Sequence, residues 1–145
     1  MSSLRQPSSS ELVQIYSRTK TIAVVGASAH ADKTAHAIPA YLQSQGYRII
    51  PVNPHGGEIF GERVYPSLHA VDGPVDVVDV FRPPAEAADI ARQAIDLGAP
   101  VLWFQPGTQT EEAVGLASDA GLTVVRGWCM GATHAQLGLG PGPSA

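Results

Sequence analysis

The sequence predicts an α/β fold built on a single doubly wound parallel sheet of about five strands, a three-layer αβα arrangement with strand order 3-2-1-4-5. Three observations predict it. Apolar, β-branched runs recur at 21–25, 48–52, 75–81, 100–104 and 122–125, each bounded by glycine, proline or polar residues. The runs lack strict in-out alternation, as parallel strands do when helices cover both faces of a sheet. Helix candidates with start and stop signals separate them, and right-handed βα crossovers then place helices on both faces.

Taken in order, Ser8 and Glu11 stand at capping-box spacing ahead of a helix from Ser9 to Thr19, where a hydroxyl and a carboxylate satisfy free N–H groups of the first turn. The run at 21–25 is the first strand and ends on Gly26. A loop of about eight residues follows. The second helix is expected to start near Ala35 or His36 with Thr34 as its cap, because Pro39 lacks an N–H and suits a first turn. Gly46, Gly98 and Gly121 each follow a periodic apolar segment and suit a left-handed helix stop. Pro84 can open the third helix, and Thr108 with Glu111, or Thr110 itself, the fourth. Between Asn53 and Val75 the glycines and prolines point to a turn-rich excursion with a short edge strand near Arg63 to Tyr65, and its length hints at ligand contact. The organisation expected is a helix over 1–20 packed on the domain, the domain itself over 21–137, and a tail over 138–145 that frays for want of apolar surface.

Composition removes several function classes. One chain of 145 residues supports one core and leaves no room for a second catalytic domain. No apolar run approaches the length of a bilayer span, so a membrane role is not expected. The net charge is −4 and lysine occurs only at Lys20 and Lys33, whereas phosphate-backbone binding normally leaves a basic stripe. No nucleic-acid partner is expected. The opening residues lack a cationic segment followed by an apolar stretch, and the single cysteine, Cys129, can form no internal disulfide; both agree with a cytoplasmic location.

The loop after the first strand carries the functional signal. Open α/β sheets bind ligands beyond the carboxyl ends of their strands, where strand order reverses. Free N–H groups at the start of the second helix, from Ala35 onward, and the positive end of its dipole attract an anion. Lys33 adds a full charge there, Ser28 a hydroxyl, and His36 a ring at the helix start. After Gly26, no second or third glycine completes the dinucleotide fingerprint, and the end of the second strand carries Asn53 instead of an acidic residue. An amide grips a ribose diol poorly but tolerates a neighbouring phosphate that a carboxylate repels. Arg82 follows the third strand and can hold phosphate bidentately, and Phe81 can stack on a purine. These residues favour a phosphorylated adenosine other than NAD, with NADP still open.

Val24 to Ser28, Pro51 to Pro54, Glu58 to Leu68, Asp76 to Pro84 and Leu102 to Gly107 occur in this order. Together they resemble the stand-alone bacterial CoA-binding domain family, whose Rossmann-like fold is similar to the amino-terminal domain of succinyl-CoA synthetase alpha subunits. The resemblance runs from about Thr21 to Leu137. It implies non-catalytic binding of coenzyme A or an acyl-CoA. By that resemblance Gly26, Ala27, Ser28 and Lys33 form the phosphate loop, and Val52, Asn53 and Pro54 lie along the adenosine. Phe81 and Arg82 meet the nucleotide and its phosphates, and Gln105 borders the pantetheine path. A small-molecule ligand is the expected partner, and a protein that reads CoA status is open.

A catalytic centre does not assemble from the sequence. Cys129 and His134 stand five apart beside the last strand, which leaves open a mixed disulfide with the CoA thiol. His30, His36, His55 and His69 show no metal-ligand spacing. Asp76 and Asp79 point to opposite faces of their strand.

Overall fold

In the computed structural model, residues 6–141 are described. The capping box forms as its spacing implies: Ser8 Oγ accepts from Glu11 N–H at 3.2 Å and Glu11 Oε1 accepts from Ser8 N–H at 2.8 Å. They open α1, Ser9–Arg18. There follow β1, Thr21–Val25, α2, Thr34–Ser44, and β2, Arg48–Val52. The excursion holds a small antiparallel hairpin, β3, Glu58–Ile59, and β4, Glu62–Arg63, and then one 3-10 turn, Leu68–Ala70. The edge strand expected near Arg63 to Tyr65 reduces to one parallel bridge between Val52 and Tyr65.

The second half alternates regularly. It comprises β5, Val77–Val80, a 3-10 turn, Pro84–Glu86, leading into α3, Ala87–Leu97, then β6, Val101–Phe104, and α4, Glu111–Asp119. It closes with β7, Thr123–Arg126, and α5, Met130–Gln136. Thr110 caps α4 by accepting from Ala113 N–H at 3.1 Å, and Gly98 ends α3 in the left-handed region at φ 82°. Of the tail expected to fray, residues 142–145 lie outside the described residues; Leu139 packs against one of the two cores.

The five main strands are parallel and the sheet is doubly wound, so the fold class is as the sequence predicts. The strand order is not. The expected order, 3-2-1-4-5, places the third long strand outside the second; the observed order is β2-β1-β5-β6-β7. In the sequence's own count of long strands this is 2-1-3-4-5. The reason stands in the sequence. Pro51 sits inside β2 and has no N–H for a second ladder, so this strand belongs at an edge. Its outer side is covered only by the excursion, through Tyr65 N–H to Pro51 O and Asn53 N–H to Tyr65 O, both 3.0 Å.

The sheet separates two cores. On one face Val25, Val52, Val78, Val80 and Phe104 meet the alanine-rich sides of α3 and α4. On the other Ile22, Val24, Val77, Trp103 and Val125 meet Leu12 and Tyr16 of α1, Leu42 of α2 and Met130 of α5. Small alanines on α3 and α4 bring these helices close to the strands, and the continuous apolar run of β6 follows from burial on both faces, which β5 shares although it carries Asp79. No helix among the described residues is long and apolar enough to cross a membrane.

Candidate functional site

Because β1 leads outward to β2 and the chain then returns across β1 to β5, strand order reverses between β1 and β5, and a cleft opens there beyond the carboxyl ends. Gly26 leaves β1 at φ 93°, with its N–H donating to Val52 O at 2.8 Å. Only a residue without Cβ fits. A Cβ at this position would stand 2.9 Å from the Phe81 carbonyl oxygen and 2.7 Å from Arg82 Cδ. The Arg82 stem therefore lies directly across the glycine turn.

A cavity of about 680 Å³ occupies this cleft, within the range of ordinary cofactor sites. Its walls are residues 25–30 of the glycine turn, residues 52–59 at the end of β2, residues 66–68 of the excursion, Arg82, and the side of the third helical segment through Glu86, Asp89, Ile90 and Gln93. Val25, Val52, Pro54, Ile59, Leu68 and Ile90 give an apolar interior fit for a flat ring. Among its charged side chains, one guanidinium, Arg82, faces three carboxylates, Glu58, Glu86 and Asp89.

The guanidinium is already engaged. Arg82 Nε donates to both carboxylate oxygens of Glu86 at 3.1 and 3.2 Å, and Nη2 donates to Oε2 at 2.6 Å. This hydrogen bonding holds the Glu86 carboxyl below its usual range and raises Arg82 above its own. Both side chains are nearly half exposed, 44% and 46%, so solvent screening keeps the pair weak.

Asn53 lines the cavity but its amide does not reach for a ligand. Its Nδ2 donates to Ala27 O at 2.9 Å, while Oδ1 accepts from His55 N–H at 2.7 Å and Gly56 N–H at 3.3 Å. It ties the glycine turn to the loop after β2. The helix start also differs from expectation. Lys33 holds the cap position of α2 without a capping side chain and Thr34 is already helical, so Pro39 falls in the second turn. Its missing N–H leaves the Ala35 carbonyl without a helical partner, and Ser28 N–H takes it at 3.2 Å. Ser28 Oγ accepts from His30 N–H.

Of the residues singled out in the sequence, Gly26, Ala27, Ser28, Val52, Asn53, Pro54 and Arg82 line the cavity together. Lys33, Thr34, Ala35, His36, Phe81 and Gln105 do not. His36 Nδ1 lies 2.7 Å from Ser28 O and its ring packs on Phe60. Phe81 packs against the core beneath α1 and α2, and Gln105 Oε1 accepts from Met130 N–H at the start of α5. Sequence reasoning passed over Glu58, Ser67, Glu86, Asp89 and Gln93 as single residues, although the length of the excursion pointed to the first two. The spacing of four between Arg82 and Glu86 signals an ion pair only along a continuous helix, and Arg82 precedes the turn that Pro84 opens.

Beside β7, Cys129 is a half-buried free thiol ahead of α5. His134 Nδ1 meets Tyr41 OH at 2.8 Å, and burial lowers its basicity while the Gly140 carbonyl opposes that shift. Asp79, on the α1 and α2 side of the sheet, is fully buried, with neither oxygen hydrogen-bonded among the described residues. Burial pushes its carboxyl well above the usual range. No group of three metal-ligating side chains occurs among the described residues.

Comparison with known proteins agrees with this architecture. Residues 20–135 match the family model described as CoA binding domain. The uncharacterized protein YneT of Bacillus subtilis is 39% identical over 132 residues, covering 91% of this chain and 98% of that protein. A solved structure from Thermus thermophilus, cell-free ID.343, superposes with a TM-score of 0.87 at 39% identity, covering 90% of this chain and 99% of that one. An ADP-forming acetate–CoA ligase of Methanocaldococcus jannaschii is 34% identical over 64 residues, which is 44% of this chain and 9% of the ligase.

Proposed function

The chain belongs to the CoA binding domain family, and from that premise we propose that its cavity binds coenzyme A or an acyl-CoA without catalysing a reaction. The observation that carries this reading is the Gly26 turn at the β1–β5 junction, where a bare Cα, the loop beyond it and the Arg82 guanidinium stand together at the mouth of a largely apolar cavity. Phosphates belong at the mouth, because N–H groups and a guanidinium are what an anion needs. The Ala27 and Ala29 N–H groups have no hydrogen-bond partner among the described residues and supply the first of these. The adenine belongs against Val52, Pro54 and Ile59. Lys33, outside the cavity wall, acts at longer range on the same anion. The partial match to an acetate–CoA ligase supports the ligand class.

Two rival readings are an NADP-dependent oxidoreductase and a thiol-active protein that uses Cys129. Against the thiol reading, His134 Nδ1 is already bonded to the Tyr41 hydroxyl. Mass spectrometry after exposure to CoA disulfide tests the thiol reading, which an absent adduct on Cys129 eliminates, and isothermal titration calorimetry decides between CoA and NADP. CoA is expected to bind with a Kd on the order of micromolar, and Arg82→Ala is expected to weaken it about tenfold, as loss of a charge-assisted hydrogen bond does. Clear binding of NADPH with no heat from CoA would overturn the proposal. A cytoplasmic location and a protein partner that responds to CoA occupancy belong to the same proposal.

A further inference from the structure

The cavity contains an apparent contradiction: a site for a polyanion has three carboxylates against one guanidinium, and that guanidinium is already bonded to one of the carboxylates. Two details say how the contradiction resolves. First, the Arg82 stem covers the Gly26 turn, with Cδ 2.7 Å and Cγ 3.1 Å from where a Cβ would stand. This is the stretch of bare backbone that a diphosphate must approach. Second, Nε and Nη2, one complete edge of the fork, are both committed to Glu86. A phosphate can take that edge bidentately only when the carboxylate has left it. The backbone sets Glu86 within reach of the guanidinium. Pro83 at φ −58° and Pro84 lead into the 3-10 turn, Glu86 N–H donates to Pro83 O at 2.9 Å, and Glu86 is thereby set one helical turn beyond Arg82.

We infer that Glu86 is a latch that holds Arg82 closed across the glycine turn, and that a ligand enters by displacing the Glu86 carboxylate with its own phosphate. The latch rests on the reading of the cavity as a coenzyme A site and adds the residue that sets its selectivity. A diphosphate, with charge on adjacent groups, outcompetes one carboxylate for the fork and moves the stem off the turn. A neutral nucleoside or a single carboxylate leaves the pair closed. Affinity is thus lower than the residues in contact with ligand would give, because each binding event first breaks an existing ion pair.

The test is a double-mutant cycle on the full chain, with CoA as the titrant in calorimetry. Glu86→Gln is expected to tighten CoA binding about fivefold when Arg82 is present, the order of one exposed ion pair released. In the Arg82→Ala background the same substitution is expected to change affinity by less than about twofold, because no latch remains to open. Equal tightening in both backgrounds overturns the latch, since it then reports only a charge removed from the cavity. Unchanged CoA affinity in Glu86→Gln also overturns the latch while leaving the CoA site standing. If neither the wild-type protein nor Glu86→Gln binds CoA, the site and the latch fall together. Both side chains are exposed, so the variants should fold; matching thermal midpoints verify that the cycle compares native proteins.

Discussion

Asp79 lies in the middle of the sheet, fully buried, between Val24 on β1 and Trp103 on β6. Neither of its oxygens has a hydrogen-bond partner among the described residues, and burial alone raises its carboxyl well above the ordinary value. The folded protein therefore keeps a proton there that the unfolded chain releases, and stability must fall as pH rises from the unfolded value toward the folded one. The slope for one such group is about 1.4 kcal/mol per pH unit. Asp79→Asn keeps the shape and the unpaired polarity but cannot ionise, so its cost is the same at every pH. Urea unfolding of both proteins at half-unit steps from pH 4 to 8 isolates the carboxyl, because the two proteins differ at that one group. Relative to wild type, Asp79→Asn is expected to gain stability at up to that slope as pH rises above the unfolded value. The gain then levels off where Asp79 ionises within the fold. For a chain of this size each kcal/mol gained raises Tm by about 4 °C. Two curves separated by a constant offset would refute the reasoning and mean that Asp79 has solvent or a partner in the native state.

At the site, Gly26→Ala forces a Cβ to 2.9 Å from the Phe81 carbonyl at a φ of 93°, and that carbonyl belongs to a strand end fixed by Phe81 N–H to Val25 O at 2.9 Å. Destabilisation of about 2 kcal/mol and loss of measurable CoA binding are expected; an unchanged urea midpoint would show that the turn is looser than described. Asn53→Asp keeps the acceptor for His55 and Gly56 but sets a carboxylate against the Ala27 carbonyl it now donates to. A loss of about 1–2 kcal/mol and weaker CoA binding than in Asn53→Ala are expected, from urea melts and calorimetry. CoA affinity equal to wild type in Asn53→Asp would remove the amide from the account of the site.

The readable parts of this fold were those decided within a few residues. Ser8 with Glu11, Thr110 and Gly98 each announce a helix end because the hydrogen bonds they make are local. Strand order is a long-range property. A single residue bore on it: Pro51 marks β2 as an edge strand, and that excludes the order in which β2 has a neighbour on each side. The excursion was legible as an interruption but not as a wall, because its two-residue strands and the Val52–Tyr65 bridge carry too little pattern to place. Arg82 was legible as a cation at the strand edge, whereas its bond to Glu86 depends on how Pro83 and Pro84 start the next helix.

The mouth of the site shows how one missing donor redirects a loop. Had α2 carried any residue but proline at position 39, its N–H would have bonded the Ala35 carbonyl, and Ser28 N–H would have been left for a ligand. Pro39 instead leaves that carbonyl to Ser28, which draws the glycine turn back against the first turn of α2. Asn53 anchors the same turn from its other side through Ala27 O. The turn is thus held by two neighbours before any ligand arrives, and its remaining donors are the Ala27 and Ala29 N–H groups in the cavity wall, not the start of α2, which lies outside it. On the proposed reading, anion recognition rests on a preorganised loop and one movable guanidinium, and its strength depends on what that guanidinium must let go of first.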